Sequence, residues 1–150
     1  MTPRVLLLFV DGLGLGGSDP AVNPVVGGAC PALARLLAEE AVPVDACLGV
    51  PGLPQSATGQ AALLTGVNAP RAMGRHVEGF PGPALQEIVR EHNLLRAAAA
   101  AGLRVTLANA YFMDSVTMAA IRRPSVTTVA ALSAGVPLRE IGRASCRERV

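Results

Sequence analysis

Apolar residues run without a break from Val5 to Val10 and stop at Asp11. A short run with no polar alternation predicts a fully buried strand, the kind found inside a parallel sheet. A glycine-rich turn follows from Gly12 to Gly17, then a loop holding Pro20 and Pro24. From Pro31 to Ala41 the pattern changes period. Leu33, Leu36 and Leu37 fall on one face, and Pro31 suits a first helical turn, so this stretch predicts a helix. Val42 to Leu48 predicts a second strand, with Pro43 confining its start to an edge or a strand end. Pro51 to Gln55 is a loop. Ser56 then stands before Ala57 to Thr65, a helix capped by Ser56. Asn68 to Pro83, rich in Gly and Pro, predicts a loop. Leu85, Ile88, Val89, His92 and Leu95 form one stripe, which predicts a helix from Pro83 to Ala101 stopped by Gly102. Leu103 to Ala108 predicts another strand. Strand and helix thus alternate through the first 110 residues, which implies an α/β fold with a mainly parallel sheet flanked by helices.

Composition narrows the function classes. Of the 150 residues, 51% are apolar and 3% aromatic, which suits a globular chain and leaves little material for base stacking. The net charge of +2 is too small to point to nucleic acid or an acidic membrane. All 13 basic residues are Arg, so no P-loop lysine, Schiff-base lysine or lysine general base is present. Cys30, Cys47 and Cys146 form no CxxC pair, which argues for a reducing compartment and a cytoplasmic location. Val5 to Val10 is too short for a membrane span or a signal-peptide core. Residues 141–150 break from the rest: they lack periodicity, are rich in Arg, and resemble a translated sequencing-library adapter. They are expected to be an artefactual tail. Without their three Arg and one Glu, acidic and basic residues balance, so the positive charge belongs to that tail.

Three constellations carry candidate chemistry. Asp11 ends the first predicted strand, where ligands of an open α/β sheet bind, and its hard carboxylate suits a divalent metal. An Asp that caps the following turn is the plainer alternative. Gly12, Gly14 and Gly17 also spell G-x-G-x-x-G, the dinucleotide fingerprint of an oxidoreductase. That fingerprint needs a helix opening directly behind it, and Ser18 to Pro24 favours a loop instead. Ser56 is the second candidate. At a helix N-terminus a serine nucleophile would sit where the dipole favours a phosphate, although taken alone a helix N-cap is the commoner explanation of such a serine. The third lies in the loop Gly74 to Pro81, where Arg75 suits bidentate phosphate binding and His76 suits substrate contact. His92 reads as a core or boundary residue, and Arg122 and Arg123 as surface charge.

Taken in order, these segments resemble a known family. Val5-Leu-Leu-Leu-Phe-Val-Asp11-Gly12 is similar to the first strand and first metal-binding Asp of the alkaline phosphatase superfamily. The nearest branch is that of cofactor-independent phosphoglycerate mutase and phosphopentomutase. Gln55-Ser56-Ala-Thr58-Gly59-Gln60 resembles that branch's nucleophile segment. Gly66-Val-Asn-Ala-Pro70, Gly74-Arg-His76, Gly79-Phe-Pro81 and Asn109-Ala-Tyr111 look like segments of related metalloenzymes. The resemblance runs from about Arg4 to Leu138.

It implies an alkaline-phosphatase-like core and two divalent metal ions, zinc or manganese, with Asp11 and Ser56 as ligands. It implies Ser56 as the nucleophile, with Thr58 as second choice, and a phosphoserine intermediate formed from a small phosphorylated substrate. Arg75, His76 and Gln60 would bind that substrate. The remaining Asp and His ligands of the family have no counterpart here, and Gln60 replaces the His often found after the nucleophile's glycine. Residues 1–140 are therefore expected to be the N-terminal part of a metalloenzyme catalytic domain, truncated and inactive alone. The other expectations are a dinucleotide-binding oxidoreductase domain or a non-catalytic structural subunit of the same fold. Neither a nucleic-acid nor a membrane partner is expected.

Overall fold

The computed structural model describes residues 4–111 and 122–140. The chain divides into two units, Met1–Asp45 and Ala46–Val150.

Among the described residues, the first unit holds one helix, α1 (Pro31–Glu39), in the place the leucine spacing predicts. Pro31 lies in its first turn, where the missing N–H costs no helical bond. The helix buries none of its residues, and Leu36 is exposed. The predicted strands are not formed: Val5–Val10 and Val42–Leu48 have no regular structure, and Val5 and Leu6 are 93% and 85% exposed. A strand exists by pairing its backbone groups with a neighbour, and hydropathy alone supplies no neighbour. Among the described residues of this unit, Asn23 is the one that is buried.

The second unit is built from helices that meet through small side chains. These are α2 (Ser56–Thr65), α3 (Ala69–Met73), α4 (Pro83–His92), α5 (Leu94–Ala100) and α6 (Val126–Ser133). α2 packs against α3, α4 and α6, and α6 packs also on α4 and α5. Ala57, Ala61 and Leu64 of α2 meet Ala69, Leu85, Val89, Val126, Val129 and Ala130 in one core. Alanine lets helix axes approach closely but removes little apolar area from water. The larger share of the stabilisation comes from the Leu and Val members, at about 1.5–3 kcal/mol for each side chain fully buried.

Two short strands, β1 (Ala110–Tyr111) and β2 (Arg139–Glu140), pair in parallel with Ala110 opposite Arg139. The expected mainly parallel sheet is thus represented, among the described residues, by one two-residue pair, and the rest of the regular structure is helical. The predicted strand Leu103–Ala108 shows no regular pairing, and β1 starts just beyond it.

Where helices begin and end follows local chemistry. The single helix expected over Pro83–Ala101 is broken at Asn93, whose backbone is extended at φ −91° and ψ 147°. The Asn93 side chain accepts from the Arg96 N–H and so caps α5. Its amide donates to the Val89 carbonyl at 2.7 Å and to Ser133 Oγ at 2.9 Å, tying α4, α5 and α6 at one buried point. Gly102 stops α5 as expected. It takes φ +77°, and the Gly102 and Leu103 N–H groups bond the Ala99 and Ala98 carbonyls. Asn68 to Pro83 contains helix α3 where a loop was expected. Asn68 accepts from the Arg71 N–H, Pro70 lies in the first turn, and Gly74 ends it.

Among the described residues, no helix is long and apolar enough to cross a membrane.

Candidate functional site

Ser56 opens α2, but it is not the cap. Gln55 holds the N-cap position with extended backbone, its carbonyl accepts the Gly59 N–H at 2.9 Å, and its side chain makes no capping bond. Ser56 is therefore the first helical residue and is half-buried. The capping explanation for this serine passes to its neighbour.

A backbone clamp closes the head of the helix. The Val77 carbonyl accepts the Ala57 N–H at 3.1 Å and the Thr58 N–H at 3.4 Å. In return the Val77 N–H donates to Thr58 Oγ1 at 3.1 Å. Two amides that an anion would use at a helix N-terminus are thus bonded to the loop Gly74–Gly82. The same bonds engage Thr58, the second-choice nucleophile. Thr58 is fully buried, and its hydroxyl also donates to the Gln55 carbonyl at 3.4 Å. With both roles filled and no access to solvent, this hydroxyl holds the loop against the helix.

The clamp brings the second and third constellations together. Ser56 and His76 each adjoin a residue joined by the Ala57–Val77 hydrogen bond. Gln60 is four residues after Ser56 on α2, so the two share a helix face, and Gln60 is half-buried. Arg75 is exposed in the loop that follows α3. Arg123, also exposed, lies over the Phe80 ring at 5.2 Å, a cation–π contact to the same loop. Of the residues expected to be surface charge, Arg123 therefore has a specific partner.

His76, expected to contact substrate, is half-buried and makes a structural contact through one ring nitrogen. Its Nε2 lies 3.1 Å from the Val50 carbonyl. A carbonyl only accepts, so Nε2 carries the proton and donates. The bond reaches the turn that feeds α2. Cys47, Leu48, Gly49 and Val50 form a β-turn closed by the Val50 N–H on the Cys47 carbonyl at 3.0 Å. Leu48 and Gly49 have φ +53° and +72°, the pattern of a type I′ turn. Asn, Asp or Gly is usual at both central positions, and a branched Leu there costs about 1–2 kcal/mol. Asn68 Nδ2 donates to the strained residue's carbonyl at 2.9 Å. Sequence reading missed Asn68, although the Asn-Ala-Pro order is a helix-start signal.

The Asp11 region reads differently. Asn23 Nδ2 donates to the carbonyls of Leu15 and Gly17 at 3.0 and 2.7 Å, and its Oδ1 accepts the Val25 N–H. A Cβ on Gly16 would lie 2.8 Å from Asn23 Nδ2, so this glycine is required by its close neighbour. No helix opens at Gly17; turns follow, and α1 begins only at Pro31. The dinucleotide fingerprint therefore lacks the helix N-terminus that would hold a pyrophosphate. Asp11 is exposed at the start of this loop, in the first unit, whereas Ser56 belongs to the second.

The described residues alone do not make up a two-metal site. Zinc and manganese take about four to six nitrogen and oxygen ligands each. Among the described residues, no group of three or more His, Cys, Asp and Glu is placed to hold a metal ion. His92, expected at the core or its boundary, is exposed and 3.4 Å from the Glu91 carboxylate. No family model matches the chain, and no curated protein or solved structure matches it either.

Proposed function

We propose that this chain belongs to a phosphoryl-transfer or phosphate-ester hydrolysing enzyme with Ser56 as its nucleophile. The observation that carries the reading is the position of Ser56. It is the first residue of α2 while Gln55 takes the cap, and Gln60 shares its face. In the reaction, Ser56 Oγ attacks phosphorus in line. The Oγ–P bond forms as the ester P–O bond breaks, and the hydroxyl proton leaves with the departing alcohol. Water or a second hydroxyl then takes the phosphoryl group and returns a proton to Oγ. Arg75 is the residue assigned to the phosphate oxygens.

Resemblance to the alkaline phosphatase superfamily supports this reading and adds an alkaline-phosphatase-like core and divalent metal dependence to the proposal. Since the donors here fall short of a metal site, the catalytic unit takes its further ligands from other residues, and this chain alone is expected to be inactive. A non-catalytic subunit is the second reading, favoured by the Val77 clamp on two helix-head amides.

The test is turnover of a small aryl phosphate with manganese or zinc. The chain alone should be no faster than its Ser56→Ala variant. In the complete catalytic unit, Ser56→Ala should lower turnover on the order of a thousandfold or more. Turnover that survives Ser56→Ala there would remove the serine mechanism. Robust turnover by the chain alone, lost on Ser56→Ala, would keep the nucleophile and remove the incompleteness.

A further inference from the structure

We infer that His76 is a positioning residue for Ser56, acting through the turn Cys47–Val50. Its catalytic meaning rests on Ser56 as the proposed nucleophile; its structural content does not.

Three observations converge on this histidine. First, the turn is set in a conformation its sequence disfavours, with Leu48 at φ +53°. Such a residue persists only where its surroundings over-determine it. Second, two side chains from later in the chain supply that constraint. Asn68 bonds the Leu48 carbonyl at 2.9 Å, and His76 bonds the Val50 carbonyl at 3.1 Å. Third, the residue after His76 is Val77, whose backbone clamps the first turn of α2 through Ala57 and Thr58. His76 therefore ties together the segment entering Ser56 and the loop lying on the helix that Ser56 begins. The ring also lies beside Gly52, where a Cβ, if one were added, would be at ordinary contact distance, 3.5 Å, from ring carbon Cδ2.

The donor is the important atom. Nε2 must keep a proton for the Val50 bond, so the neutral ring is the Nε2–H tautomer. An aliphatic side chain of similar bulk preserves packing and loses the donor. Glutamine places an amide N–H near the Nε2 position and retains it. A residue that only fills space would behave alike in both variants.

The experiment uses the full chain and needs no turnover. Nitrogen-15 NMR of the imidazole at a pH where it is neutral should show the Nε2–H tautomer; the Nδ1–H tautomer overturns the inference. Amide hydrogen exchange then reads the latch at Val50, whose N–H closes the turn. His76→Leu should speed Val50 exchange about tenfold or more and shift the Ser56 amide resonance, with Leu85 and Val89 in α4 unchanged. His76→Gln should restore both signals. Equal Val50 exchange in the native chain and His76→Leu overturns the inference, as does a loss that His76→Gln fails to restore. If His76→Leu does not fold, the tautomer of the native chain decides. Phosphoserine formation is independent of these readouts. A latch that passes while Ser56 proves inert removes the proposed function and leaves the positioning role of His76 toward the turn.

Discussion

The two units of this chain use apolar residues to opposite effect. In Met1–Asp45 the longest apolar run, Val5–Val10, is exposed, and the buried residue is the polar Asn23. In Ala46–Val150 the apolar residues are smaller and more scattered, yet Ala57, Ala61, Leu85, Val89 and Ala130 are fully buried. Hydropathy does not separate the two; packing partners and helix caps do. The second unit packs its helices on one another and opens three of them with Asn68, Asn93 and Ser125, each accepting a backbone N–H of the first turn. The first unit has contiguous apolar residues, which suit a strand, and a strand needs a partner to bury both faces.

That contrast can be broken by paired substitutions. Leu85→Ala should destabilise the second unit by about 2–5 kcal/mol, because a fully buried leucine leaves a cavity among helices that cannot fully collapse. Leu6→Ala should change stability by about 0.5 kcal/mol or less. Urea unfolding of both variants gives the comparison; a large effect at Leu6 would mean that the first unit hides a core. Next in size is a pair of asparagines. Asn93→Ala removes two donated bonds and a cap at a buried point and should cost about 1–3 kcal/mol. Asn23→Ala should instead free the Leu15–Val25 loop locally, seen as faster exchange of the Val25 amide with an unchanged midpoint for α4. The smallest effect is expected at Gly59, inside α2 with open space around an added Cβ. Gly59→Ala should stabilise by about 0.5–1 kcal/mol in the same urea measurement. A loss of stability would show that this glycine serves a close approach.

Much of the helical structure was legible because its signals are local. Pro31 with its leucine spacing marked α1, the stripe from Leu85 marked α4, and Gly102 marked the end of α5. The break at Asn93 was hidden because an asparagine inside a regular stripe is equally compatible with an unbroken helix. Its decisive partner, Ser133, lies forty residues away. Helix α6 carries a comparable local signal in its Ser125 cap and terminal Gly135, yet it followed the last element read from the pattern. The strands were legible as hydropathy and absent as structure, since their energy resides in a partner that no local window contains.

The candidate site divides in the same way. Residue types nominated Ser56, Arg75 and His76, and the family resemblance added Thr58. Separating them required atoms distant in sequence: Val77 takes up the Thr58 hydroxyl, and Val50 takes up the His76 ring. Side-chain chemistry states what a group is able to do, whereas access and hydrogen-bond partners decide which of those things it does.

What the sequence by itself determined is therefore the presence of α1, α2 and α4 and the stop at Gly102, the absence of lysine chemistry, and a short roster of residues able to handle phosphate. Only the tertiary structure decided that Gln55 and not Ser56 is the cap, that Thr58 is a buried tie, and that Leu48 is held in a left-handed turn by Asn68 and His76. The physical reason is range. Capping and periodicity act within a few residues and are written in order along the chain. Burial and long-range hydrogen bonds depend on which segments meet, and that is settled by folding.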